Sequence, residues 1–193
     1  MTRKILIILF AFFITTSTHS DEVFPFYGSS ETEAPVKIKV FSSLTCPHCA
    51  KFHNSVLPKL VESYVNEGKV SIKLMDYPLD LPSLKAAQVA KCFSQENQKI
   101  YLDEVYKTQS DWLNAKTLED LYKNLEKITK NIGLEGKEFR SCLMNKKFED
   151  AVLKSRIDAQ SKYEINATPT LVINEKKFEG SFEEISKYID KLL

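Results

Sequence analysis

The sequence predicts an α/β fold in which a β-α-β unit and a β-β-α unit flank an all-helical segment. Three observations carry that prediction. Residues 36–41 and 70–75 are short, β-branched-rich runs on either side of one stretch of helical period. Between Ser83 and Tyr163 apolar residues recur at spacings of three and four, with almost no strand signal. Residues 171–173 and 177–179 then read as a hairpin ahead of a last amphipathic helix.

A length of 193 residues, 43% of them hydrophobic, suits one domain with an insertion and a sizeable core. Residues 1–20 are set apart as a secretory signal peptide. Arg3-Lys4 precede an apolar run of residues 5–14, and Thr18 and Ser20 flank a cut expected before Asp21. That run is too short to span a bilayer, so no stable membrane insertion is expected. No cysteine lies near the cut, which argues against a lipoprotein. Without Arg3 and Lys4 the 27 basic residues become 25 against 26 acidic. The charges interleave with no basic stripe, which excludes nucleic acid as a partner. Export implies an oxidising compartment, the periplasm, where cysteines can hold disulfides.

In chain order, residues 21–35 form a short polar lead. In the first strand Lys37 and Lys39 share a face and are expected in solvent. The helix after it carries Val56, Leu57, Leu60, Val61, Tyr64 and Val65 at helical spacing, and Pro58 should kink it near residues 54–57. Gly68 ends that helix, and Pro78 and Pro82 stop the second strand. Residues 36–82 are thus one β-α-β crossover with a parallel strand pair. Within 83–163, Thr117 with Asp120 opens one helix, Gly133 and Gly136 punctuate, and a last helix starts at Lys146. Residues 164–193 supply the strand 171–173, a turn at 174–176 and the strand 177–179. Ser181 with Glu184 caps a helix whose Phe182, Ile185, Ile189 and Leu192 should face the sheet.

The chemistry concentrates at Cys46-Pro47-His48-Cys49, where the first strand meets the first helix. Pro47 suits the first helical position, and Cys46 falls at the helix mouth. Free N–H groups and the positive dipole end favour the Cys46 thiolate, with His48 adding hydrogen bonding or positive charge. A stabilised thiolate is a stabilised reduced state, which makes the disulfide an oxidant. The competing reading is part of a copper or zinc site, although no second C-x-x-C or H-x-H pair completes four ligands.

This motif after a Phe-Ser strand, with a later Thr168-Pro169, resembles the DsbA family of thiol–disulfide oxidoreductases over most of the chain beyond residue 35. The resemblance implies a thioredoxin-like fold with an inserted all-helical subdomain. Cys46 would be the exposed, exchanging thiol and Cys49 its buried partner, with His48 and Pro47 tuning the pair. It also implies a cis Pro169 beside the cysteines, with the Thr168 backbone open to an extended substrate strand; a plain loop proline is the alternative. Thioredoxin and DsbA set the scale, with cysteine pKa about 7 against about 3.5 and potentials of about −270 and about −120 mV. The sequence departs from the family twice. Val40 stands where some members carry a buried acid, and Thr168 where others have Val, a feature similar to disulfide isomerases.

The remaining cysteines, Cys92 and Cys142, form either a structural bridge or two separate buried thiols. His53 is expected on the polar face of its helix, and Trp112, Tyr101, Tyr106 and Tyr122 in the core or lining a groove. Asn166-Ala167-Thr168 is a glycosylation sequon by chance. The expected function is an exported oxidoreductase that introduces disulfides into reduced or unfolded secreted proteins. It would act as a monomer without a cofactor and be recycled by a DsbB-type membrane oxidase. The Pro-His dipeptide and a lead too short for a dimerisation domain favour oxidation. The alternatives are a reductase or isomerase of the same superfamily, or a Cys/His metal-handling protein.

Overall fold

The computed structural model describes residues 24–28 and 33–193, so the expected signal peptide and its cut lie outside the described residues. One mixed sheet runs in the order β1-β3-β2-β4-β5. Its strands are β1 (Phe26–Tyr27), β2 (Val36–Ser42), β3 (Val70–Asp76), β4 (Thr170–Ile173) and β5 (Lys176–Lys177). The parallel pair at the centre registers Val36 with Val70 through to Ser42 with Asp76. Val36, Ile38, Val40, Phe41, Val70 and Ile72 are all buried. β2 alternates at its start, with Lys37 exposed, and becomes buried on both faces at Val40 and Phe41, where the chain enters the core. The lead is more than polar chain: Phe24 is buried, and Phe26 and Tyr27 pair antiparallel with Lys73 and Ile72.

The helix after β2 begins as α1 (Pro47–Lys51) and continues through a π-helical turn at Phe52–Val56. It resumes as α2 (Leu57–Leu60) and closes in a second π-helical turn at Val61–Val65. Pro58 has no N–H to offer the preceding turn, and the expected kink takes the form of this widened turn. Gly68 ends the helix at φ +72°. Its N–H reaches Val65 O, and the Lys69 N–H reaches Tyr64 O.

Six helices make the insertion: α3 (Leu81–Ala90), α4 (Gln95–Lys107), α5 (Gln109–Leu113), α6 (Leu118–Lys130), α7 (Gly136–Met144) and α8 (Lys146–Tyr163). Asp80, Ser94, Thr117 and Asn145 cap four of them, each side chain accepting the N–H three residues on. Pro82 does not stop β3. It sits in the first turn of α3, where its missing N–H costs nothing. Trp112, Tyr101, Leu125 and Phe139 are buried in this subdomain, and Tyr106 is buried where α4 meets the sheet. A disulfide joins Cys92, just past α3, to Cys142 in α7, with Cα atoms 6.2 Å apart.

The hairpin turn is shorter than expected. Asn174 and Glu175 both have positive φ, +46° and +64°, so the loop is two residues and β5 starts at Lys176. Asn174 Oδ1 accepts the Lys37 N–H at 2.8 Å, which ties the turn to β2. Ser181 and Glu184 form the capping box ahead of α9 (Ile185–Asp190). Ile185 and Ile189 face the core, but Leu192 lies beyond the helix end and is 39% exposed, contrary to expectation.

Candidate active site

The site is built where β2 runs into α1. Cys46 is the N-cap in extended conformation, Pro47 is the first helical residue, and Cys46 Sγ accepts the Cys49 N–H at 3.4 Å. The thiol takes the place a Ser or Asp oxygen holds at an ordinary helix start, so a charge on it would meet an N–H and the positive dipole end. Across the gap the Thr168-Pro169 peptide is cis, and Cys46 donates to Thr168 O at 3.4 Å. That turn covers the sulfur, so Cys46 is 7% exposed rather than the open thiol expected, while Pro47 and His48 stand in solvent.

Cys49 lies one turn deeper at 1% exposure, with the Ser43 N–H at 3.5 Å from its sulfur. Burial pushes its thiol up to about 12, against the opposing hydrogen bond of the Ser43 N–H. Two sulfurs three residues apart therefore sit in different surroundings.

The loop between β2 and α1 is clamped by the insertion. Ser83 Oγ accepts the Leu44 N–H at 2.9 Å and the Ser43 hydroxyl at 2.8 Å. Thr45 donates to Asp80 Oδ2 at 2.9 Å, and Asp80 also caps α3 through the Ser83 N–H. Gln109 Nε2 donates to Leu44 O at 2.8 Å and to Cys46 O at 3.2 Å. These bonds from Ser83, Asp80 and Gln109 tie the turn to the insertion and hold Cys46 in place. Ser83, Asp80 and Gln109 carried no signal in the sequence, because their partners lie 35 to 65 residues away.

His53 is not on the polar face. It is 5% exposed, its Nε2 lies 2.6 Å from Asp103 Oδ1, and its ring stacks on Tyr106 with centroids 4.6 Å apart. The signal was present: His53 is four residues past Cys49 and four before Leu57, the spacing of the buried face. Its polarity argued the other way until α4 supplied a carboxylate. Among the described residues no three His, Cys, Asp or Glu side chains gather as metal ligands. His48 points to solvent and His53 is engaged by Asp103.

A protein-family model described as Thioredoxin matches residues 23–191. The crystal structure of Wolbachia pipientis alpha-DsbA1 superposes with a TM-score of 0.78 at 31% identity, covering 88% of this chain and 90% of that one. The chain belongs to the DsbA family of the thioredoxin-like proteins. This DsbA-family chain is also 27% identical to Chlamydia trachomatis DsbA, with a TM-score of 0.71 over 89% of this chain and 91% of that one. A Bacillus anthracis protein named "Probable disulfide bond formation protein D" is 29% identical over 170 residues, 83% of this chain and 75% of its own. The architecture is accordingly the thioredoxin-like fold with an inserted helical subdomain, and the activity is thiol–disulfide exchange. Among the described residues no helix is long and apolar enough to cross a membrane.

Proposed function

We propose that this DsbA-family protein is an exported oxidase that passes the Cys46–Cys49 disulfide to reduced proteins in the periplasm. The observation that carries the reading is the seat of Cys46, an N-cap sulfur with an N–H at 3.4 Å and the helix dipole behind it. This environment favours a thiolate, and hence the reduced enzyme over the oxidised one. A client thiolate attacks Cys46 Sγ, the Cys46–Cys49 bond breaks, and a mixed disulfide forms. A second client thiolate then attacks the client sulfur of that bond, and Cys46 leaves as the thiolate. His48, exposed beside Cys46, tunes it, and Pro47 fixes the helix start. Thr168 and Pro169 lie against the exchanging sulfur, where a client backbone has to pass.

Relatives named for disulfide bond formation support net oxidation. The apolar run and small residues of 1–20 support export by a cleaved signal peptide, and the chemistry calls for a DsbB-type oxidase to restore the disulfide. Equilibration with glutathione buffers tests the direction. The expected potential lies nearer about −120 mV than about −270 mV, and Cys46→Ala abolishes oxidative refolding of a fully reduced client. A potential in the thioredoxin range would turn the assignment to a reductase.

A further inference from the structure

Two loops meet at Cys46, and one short stretch of chain, residues 77–83, grips both. The first loop is residues 42–45, which lead into the exchanging cysteine. Ser42 O accepts the Tyr77 N–H at 2.8 Å, and Ser43 Oγ accepts the Leu79 N–H at 3.4 Å. Asp80 and Ser83 hold Thr45, Leu44 and the Ser43 hydroxyl. The second loop runs from Ile165 to Thr168, whose carbonyl meets the Cys46 thiol. Here the Tyr77 hydroxyl donates to Ile165 O at 2.8 Å, in a buried contact that spans 88 residues of chain.

The second loop has a post at each end. At its far end Thr170 enters β4 opposite Phe41 of β2, and the Thr170 hydroxyl donates back to Ala167 O at 2.8 Å. At its near end α8 gives way to Glu164 at positive φ, +54°, and the Ile165 N–H returns to Ala159 O at 3.3 Å. The Tyr77 bond ties this near end to the stretch that also holds Cys46. Tyr77 is itself fixed, packed among Phe41, Ala159, Ile165 and Val172. From α8, Arg156 lies over its ring, 5.3 Å from the centre, and donates to Pro78 O at 2.7 Å. Among such apolar neighbours a phenylalanine would pack as well, so the hydroxyl is the part that needs a reason. A buried carbonyl needs a partner in any protein. This partner comes from the one stretch that carries the opposite side of the site.

We propose that Tyr77 is a positioning residue for client binding: its hydroxyl sets the Ile165–Thr168 loop at the distance from Cys46 that a client backbone has to fit. The proposal rests on the reading that clients exchange at Cys46 with their backbone against Thr168. A client that docks on an ordered loop meets little ordering cost. Where the loop also visits displaced positions, only a fraction of encounters find it competent, and apparent affinity falls by that fraction. A thiol with no peptide backbone needs only the sulfur and is indifferent to the loop's order. Tyr77 thus selects for peptide thiols over small ones, and leaves the chemistry of the sulfur to the helix start.

The test reacts the oxidised protein with two thiols: an extended peptide carrying one cysteine among apolar residues, and mercaptoethanol. Acid quench and mass spectrometry give the second-order rate constant for the attack of each on the Cys46–Cys49 disulfide. In Tyr77→Phe the constant for the peptide should fall about fivefold, the worth of one hydrogen bond. The constant for mercaptoethanol should hold or rise, since the loop covers the sulfur. Hydrogen exchange at the amides of residues 166–168 should quicken in the same variant. A peptide-to-mercaptoethanol ratio equal to that of the wild type overturns the proposal, whether neither constant falls or both fall together, and so does unchanged exchange in the loop. Should Tyr77→Phe fail to fold, Arg156→Gln takes its place, because it removes the brace over the Tyr77 ring; an unchanged ratio there overturns the proposal equally. A wild type that reacts with the peptide no faster than with mercaptoethanol, at equal thiolate concentration, defeats the client-docking reading itself, and this proposal with it.

Discussion

Cys46 and Cys49 share a helix and a motif but not an environment. Cys46 has a helix N-terminus at its sulfur, whereas Cys49 is enclosed and its thiol is held near 12, so at pH 7 it stays protonated. Iodoacetamide added to the reduced protein at pH 7 should therefore label Cys46 and leave Cys49 essentially unmodified. Peptide mapping by mass spectrometry checks this, and equal labelling would refute the asymmetry. The placement of Cys46 and Pro47 could be read from the sequence because the physics is local: a cap residue followed by Pro is a helix start wherever it occurs. Gln109 and Ser83 could not, since the loop they clamp is distant in sequence and an isolated Gln or Ser carries no pattern. His53 lies between these cases. Its spacing marked the buried face, while its partner Asp103, fifty residues on, was invisible.

At the scale of elements, legibility followed length. The seven-residue strands β2 and β3 and the long helices announced themselves by period. The two-residue strands β1 and β5 have no period, so in sequence β1 is indistinguishable from polar lead and the hairpin turn looks one residue longer than it is. The Asn174-Glu175 turn uses positive φ at two non-glycine residues, which its sequence gives little reason to expect. The bridge from Cys92 to Cys142 ties α3 to α7 across 50 residues of chain. Removing it as Cys92→Ser/Cys142→Ser should lower unfolding free energy by up to about 4 kcal/mol on the chain-entropy model. The urea midpoint reports that loss, and the Cys46 alkylation rate should stay unchanged, as expected of a structural bond.

Across the whole molecule, two carboxylates join parts far apart in the chain. Lys146 and Lys85 hold the Glu149 carboxyl down at about 2, and Lys162, Lys39 and Tyr163 do the same for Glu175 at the hairpin turn. Both are lowered from 4.5. A depressed carboxyl contributes its full stabilisation above the unfolded value and loses it as pH falls through the folded one. Thermal midpoints should accordingly hold at mildly acidic pH and decline between about pH 4.5 and pH 2. Glu149→Gln and Glu175→Gln should each flatten that decline, and a variant that falls as steeply as the parent would contradict the assignment.

The sheet's own flanks bear on the partners this enzyme meets. Reduced clients are loose chains whose backbones seek a β edge to join, and a long bare edge would hold them in the wrong place. Here each rim of the sheet is a two-residue stub, and one is a pair of lysines. A visiting chain finds little to zip onto at either rim.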